Sequence, residues 1–157
     1  MEPVIAGAHL LPGRDDSPII IPDAAPPPDD FTQYTPSSVP GGRAPHFWMH
    51  DGRGMGSSLF DQLGVGFTLL RLGRCMGHST SIERAAQARG IPLRVLDVAA
   101  PRARDLYERN LILIRPDQHI GWRGDDPPRD PDQLFATLLG GYSEEANGGY
   151  SLAKNFA

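Results

Sequence analysis

The sequence predicts an α/β domain: one mixed β-sheet with helices on both faces, entered by an extended, proline-rich arm. Three observations carry that expectation. Strand-like and helix-like segments alternate and then give way to consecutive strands, in the order strand, helix, strand, helix, strand, strand, strand, helix. One segment, GFTLLRLG at 66–73, is apolar almost without alternation, as a strand covered on both faces must be. Ten of the 16 prolines stand before residue 46, which keeps that region out of helices.

Residues 1–42 read as the arm. Within it SPIIIPD (17–23) has a short strand-like run, and Pro26, Pro27 and Pro28 then force a polyproline-like backbone. Ile19, Ile20 and Ile21 are too few to make a core of their own, so they are candidates for adding to a sheet edge, in a second copy or a partner. APHFWMHDGRG (44–54) reads as a strand ending in an Asp-Gly turn, and SSLFDQLG (57–64) as a short helix capped by Ser57 or Ser58. SIERAAQARG (81–90) is the clearest helix, with Ser or Thr at its cap, Glu83 in its first turn, alanines inside and Gly90 to stop it.

IPLRVLDVA (91–99) is then a strand, and YERNLILIRPDQHIGWRG (107–124) a hairpin. In that hairpin Leu111, Ile112, Leu113 and Ile114 form a central strand, Pro116 and Asp117 turn, and Ile120 and Trp122 alternate inward on an edge strand. Tyr107, Glu108 and Arg109 stand just before it, placed to hold the crossover by an ion pair or a hydrogen bond to backbone. DPDQLFATLLGG (130–141) is a helix with Asp130 as cap, Pro131 at its first position and Gly140 at its end. The domain therefore runs over 43–141, and the aperiodic residues 142–157 form a loosely attached tail. A βαβ crossover, a hairpin and a terminal helix on one sheet is the layout of the thioredoxin fold, with Phe67–Leu72 as its central strand.

At 157 residues with 39% hydrophobic side chains, one domain with a real core is expected. The net charge of -4 argues against a surface that tracks nucleic-acid phosphates. No apolar run is long enough to span a membrane and the N-terminus lacks the basic start of a secretory signal, so a cytoplasmic protein is expected. The single Cys75 excludes an internal disulfide, which fits a reducing compartment.

Several stretches in one order, GGRAPHFWMHDG (41–52), SLFDQLGVGFTLLRLG (58–73), GIPLRVLDVA (90–99) and YERNLILIRPDQHIGWRG, resemble the C-terminal thioredoxin-like domain of FAD-dependent aromatic hydroxylases. Those flavin monooxygenases act on phenols, hydroxyphenylpropionate-type acids and polyketide rings. DSPIIIPD (16–23) is similar to the segment that leads out of their substrate domain. The resemblance covers about residues 16 to 141 and implies that FAD belongs to the full-length enzymes. The GxGxxG loop and the later Gly-Asp motif by which such enzymes hold FAD are missing from this chain. The glycines of DGRGMGSS (51–58) follow a strand but lack the long helix and the acid about twenty residues on that a dinucleotide site needs. No cofactor is therefore expected on this chain.

Active thioredoxin-like proteins place a Cys-x-x-Cys at the start of the helix after the central strand, where the helix dipole lowers a thiol pKa. The corresponding loop reads GRCMGHSTS (73–81), with Cys75 followed by His78 in place of a resolving cysteine. Cys75 and His78 are thus the catalytic candidates, for monothiol chemistry only, beside the plainer reading of Cys75 as a small loop residue. His46 and His50 are four apart, but on a strand and without a third ligand, so no metal site is expected. Arg115, His119 and Arg123 could make an anion site in the hairpin, although no nucleophile or carboxylate pair stands beside them.

The expected function is a non-catalytic domain of a flavin-dependent aromatic monooxygenase, whether fragment, split subunit or free-standing relative. It would serve packing or oligomerisation, as a homo-oligomer or docked on a flavin-binding domain. The alternatives are a free-standing monothiol redox protein using Cys75 and a binding module that partners a biosynthetic enzyme.

Overall fold

A computed structural model describes residues 19–27, 35–49, 56–73 and 79–140. Its elements in chain order are β1 (Trp48–Met49), β2 (Ser57–Ser58), α1 (Leu59–Gln62), β3 (Phe67–Leu72), α2 (Thr80–Ala88), β4 (Leu93–Val98), α3 (Pro101–Tyr107), β5 (Leu111–Ile114), β6 (Ile120–Gly124) and α4 (Pro131–Leu138). Four strands form a mixed sheet in the order β4-β3-β5-β6, while β1 and β2 make a separate two-stranded ribbon. β3 and β4 run parallel with Phe67 opposite Leu93 and Leu72 opposite Val98, joined by α2 as the crossover. β5 pairs antiparallel with β3 on one side and with β6 on the other.

The apolar run in β3 follows from this placement between two neighbours with cover on both faces. Phe67 and Leu69, together with Leu111 and Leu113 of β5, pack beneath Ile82, Ala85 and Ala86 of α2 and Leu134, Phe135 and Leu138 of α4. The Phe67 and Phe135 rings meet edge to face at 5.7 Å. On the opposite face Leu70, Leu72, Ile112 and Ile114 pack with Leu59 of α1 and with Ala103 and Tyr107 of α3. The period of two along each strand thus feeds two cores from one sheet.

Local signals set the helix ends. Ser58 Oγ accepts from the Phe60 N–H at 3.2 Å, and Asp130 Oδ1 accepts from the Gln133 N–H at 2.9 Å with Pro131 in the first turn. Gly90 ends α2 with φ 65, the left-handed conformation that glycine adopts without strain. α3 has no counterpart in the sequence reading. Pro101 opens it, Glu108 closes it at φ 61, and Ala103 and Tyr107, one turn apart, bury the same face.

The hairpin departs from expectation in one respect. Ile120 and Trp122 do not face the same side: Ile120 joins the core beneath α3, and Trp122 the core beneath α2 and α4. The register slips between Leu113, which faces Trp122, and Ile114, which faces Ile120, so Gly121 is the extra residue of a β-bulge. A Cβ at Gly121 would stand 2.7 Å from Leu138 Cδ2, so a larger residue there would have to displace the Leu138 side chain.

The outer edge of β6 and the turn before it are dressed by residues from the N-terminal part of the chain, before β1. The Ile21 N–H donates to Gly121 O at 2.9 Å, Gly41 N–H to Ile120 O at 2.8 Å, Ile120 N–H to Gly42 O at 2.9 Å, and Ala44 N–H to Gln118 O at 2.8 Å. Ser38, Val39, Pro40 and Gly41 are buried by this contact. The opposite edge strand, β4, pairs only with β3 among the described residues.

Candidate functional site

Three features of the described residues join groups of chemical interest. The first lies at the ends of the parallel strands. Arg71 and Asp97 are register partners in β3 and β4 and form a two-pronged pair, Nε to Oδ1 and Nη2 to Oδ2, each 2.6 Å. Arg71 Nη1 also donates to Ser79 Oγ at 3.0 Å and lies 3.5 Å from Glu83 Oε1, while Ser79 Oγ donates to that oxygen at 2.6 Å. The hydrogen bond from Arg71 holds the Asp97 carboxyl below its ordinary value, and Asp97 in turn raises Arg71.

This cluster sits at the N-terminus of the βαβ crossover helix, where a dinucleotide-binding domain would hold pyrophosphate. Here the first turn of α2 carries the Glu83 carboxylate, and its N-cap hydroxyl, Ser79, is spent on that carboxylate. An anionic group at that point repels phosphate, so these residues do not fit the flavin's diphosphate.

A second feature is a groove of about 1000 Å³ between the ribbon and α3, with His46 to Met49 on one wall and residues 97 to 106 on the other. Its floor and sides are largely apolar, from Phe47, Met49, Val98, Ala100, Pro101 and Leu106. Trp48 at its lip is 59% exposed, an unusual cost for an indole unless something covers it. Rings continue from the groove along the ribbon. His46 meets Trp48 edge-on at 5.1 Å and Phe60 at 5.4 Å, and the Arg43 guanidinium lies over Phe60 at 4.9 Å. His46 Nε2 shares a 2.9 Å hydrogen bond with Ser58 Oγ.

The third feature is a polar knot around Arg123, whose side chain is only 3% exposed. Its Nε donates to both Asp23 oxygens at 3.0 and 2.8 Å, and its Nη1 to Glu108 Oε2 at 3.0 Å and to Ser38 Oγ. Ser38 Oγ in turn donates to Tyr107 O at 2.8 Å, and the Tyr107 hydroxyl donates to Pro45 O at 2.7 Å. Arg109 stands 3.6 Å from Asp23 and 3.1 Å from Asp125. The expected hold on the crossover by Tyr107, Glu108 and Arg109 is therefore present, with Arg123 at its centre.

Of the residues singled out from sequence, Cys75, His78 and His50 lie outside the described residues, as does the tail beyond residue 140. Ile21 is applied to the edge of its own sheet and packs against the core beneath α4. Arg115 and His119 both meet Asp117, and Arg123 does not join them. Arg115 pairs with Asp117 at 2.5 Å, His119 Nδ1 shares a 3.0 Å hydrogen bond with Asp117 O, and Arg123 turns to Asp23. No group of three or more His, Cys, Asp or Glu side chains is placed to hold a metal ion among the described residues. Sequence reasoning passed over Trp48, Asp97 and Asp23. A charged Arg71 inside an otherwise buried strand was the one signal that a partner such as Asp97 had to exist.

The family model described as aromatic-ring hydroxylase, C-terminal, matches residues 37–140. The chain belongs to that family. It is 32% identical over 140 residues to the FAD-dependent monooxygenase apdD of Emericella nidulans, covering 85% of this chain and 21% of that protein. Against phenol 2-monooxygenase of a Pseudomonas species the identity is 30% over 124 residues, covering 72% of this chain and 20% of that protein. The substrate-free form of the rebeccamycin biosynthetic enzyme RebC superposes with a TM-score of 0.68 at 32% identity, covering 82% of this chain and 22% of that one. This aromatic-ring hydroxylase C-terminal chain thus spans about a fifth of the length of the curated relatives it matches. No helix among its described residues is long and apolar enough to cross a membrane.

Proposed function

We propose that this chain is a non-catalytic, cytoplasmic domain of an FAD-dependent aromatic monooxygenase, thioredoxin-like in layout, that packs against the flavin-binding part of such an enzyme. The observation that carries the reading is the match to about a fifth of FAD-dependent relatives, within a family defined by their C-terminal region. Two features support it. The first turn of α2 holds Glu83 where a diphosphate would need backbone N–H groups and no carboxylate. The groove beside Trp48 presents apolar surface of the kind an interdomain contact covers. The occupant of the groove is the flavin-binding part, taken from the four-fifths of the relatives that this chain does not span.

The isolated chain is expected to be colourless and to leave FAD fluorescence unchanged on titration. Mixed with the FAD-binding part of apdD as a separate polypeptide, it is expected to co-sediment, and Trp48→Asp is expected to abolish the complex. A preparation carrying stoichiometric flavin would overturn the reading.

A further inference from the structure

We propose that the groove between the ribbon and α3 takes an extended strand, which adds to the free edge of β1 through the backbone of Trp48. The inference rests on the reading above for the source of that strand, the flavin-binding part of the enzyme, and adds the form in which it is bound.

The pairing of the ribbon decides which backbone groups are free. The Leu59 N–H donates to Phe47 O at 3.1 Å, and Trp48 and Met49 stand opposite Ser58 and Ser57. In an antiparallel pair, positions that exchange hydrogen bonds alternate with positions that do not. The bonded positions of β1 and its lead-in are therefore Phe47 and Met49, and Trp48 turns its N–H and C=O away from β2. That is the side on which the groove lies. Among the described residues its lining comes from His46 to Met49 and from β4, α3 and the turn between them, and none of it from β2 or α1.

Side chains along β1 alternate to match. Phe47 and Met49 pack on the core beneath α3, while Trp48 points outward and is exposed. A strand laid antiparallel beside β1 puts one residue opposite Trp48, to exchange one N–H and one C=O with it, and that residue's two neighbours over Val98, Ala100 and Leu106. The occupant is thus a segment with apolar residues at alternate positions. A helix cannot replace it, because its own N–H and C=O groups are spent internally and would leave those of Trp48 unmatched in a covered groove. On the opposite wall Arg102 and Asp105 are exposed on α3, and neither has an ionic partner among the described residues. That wall is complementary to a segment carrying one acid and one base.

Amide hydrogen exchange on the full chain, alone and with the FAD-binding part of apdD as a separate polypeptide, tests this without any variant. In the free chain the Trp48 amide is expected to exchange faster than that of Met49, which faces Ser57 at a bonded position. In the complex it is expected to slow at least roughly tenfold, with Met49 little changed. Trp48→Pro, which removes an N–H that the ribbon does not use, is expected to bind at least roughly tenfold more weakly than Trp48→Ala. A complex in which the Trp48 amide exchanges as in the free chain, or one that Trp48→Pro and Trp48→Ala form with the same measurable affinity, would overturn the strand and leave the domain contact standing. A Trp48 amide as slow as that of Met49 in the free chain would do the same. Failure of the two polypeptides to associate would overturn the domain contact, and the strand with it.

Discussion

Arg123 and Arg71 each meet two acidic side chains in a mixed sheet, and the difference between them lies in what surrounds the contact. Arg71 projects from the end of β3 beside its register partner Asp97, with side-chain exposures of 16% and 46%, and the residues it joins belong to neighbouring elements of one βαβ unit. Arg123 is all but sealed and ties together β6, the end of α3, Ser38 and a segment 100 residues away. An arginine pair at a wet strand end tunes local electrostatics. One that is buried and multiply bonded decides how distant pieces of chain are held, because no water can replace a lost partner.

The sharpest way to break that contrast is to remove both guanidinium groups in turn. Arg123→Met takes from Ser38 Oγ and two carboxylates the donor they share and is expected to cost about 3 kcal/mol, the lower part of the range for breaking a buried charged pair, since Glu108 is largely exposed. Arg71→Met is expected to cost about 1 kcal/mol or less. Urea denaturation of the three proteins measures both. Equal losses would mean that burial does not separate the two sites.

A smaller effect tests whether the Arg123 knot extends to the ribbon side of the molecule. Tyr107 is fully buried and its hydroxyl donates to Pro45 O, which links α3 to the chain just before β1. Tyr107→Phe keeps the ring and its edge-to-face contact with Phe47 and deletes only the donor. The expected loss is about 1.5 kcal/mol by the same denaturation measurement, the cost of leaving one buried carbonyl unpaired. No measurable change would show that water reaches Pro45 and that the knot ends at Ser38.

What the sequence made legible was local. The caps at Ser58 and Asp130, the stop at Gly90 and the doubly buried β3 each depend on a few neighbouring residues, and each is found where the residues put it. α3 escaped because PRARDLY carries no broad apolar stripe, and its register is set by Ala103 and Tyr107 meeting a sheet built from other segments. The opposite facing of Ile120 and Trp122 depends on a bulge that forms only once β5 is alongside, with the Leu138 side chain of α4 lying against Gly121. The Arg123 knot was partly visible, in Tyr107, Glu108 and Arg109, while its remaining carboxylate came from the arm. Three isoleucines between prolines read as a segment for the edge of a second copy or a partner, and Ile21 meets an edge in its own sheet. Pairings across 100 residues leave no periodic trace, which is why the motif was readable and its acceptor was not.

The smallest expected effect separates the two arginine sites by pH. Asp97 has its carboxyl held below the ordinary value of 3.8 by its hydrogen bonds to Arg71. A carboxylate whose pKa is lowered by folding adds stability that is present above its unfolded pKa and is lost as the pH falls through the folded one. Arg71 is raised above a value that is already strongly alkaline, so it stays charged throughout and contributes nothing to an acid transition. The stability difference between the wild-type chain and Asp97→Asn is therefore expected to be greatest near neutral pH, at about 1 kcal/mol or less, and to shrink between about pH 5 and about pH 2. Because Asp97 is 46% exposed, salt on the order of 1 M should diminish the difference even at neutral pH. The loss caused by Arg123→Met should persist in that salt, since the group it removes is buried. Chemical denaturation with urea at two pH values and two salt concentrations gives all of these quantities. A difference for Asp97→Asn that grew as the pH fell would reverse the sign of the argument and show that the protonated carboxyl is the form Arg71 and its neighbours favour.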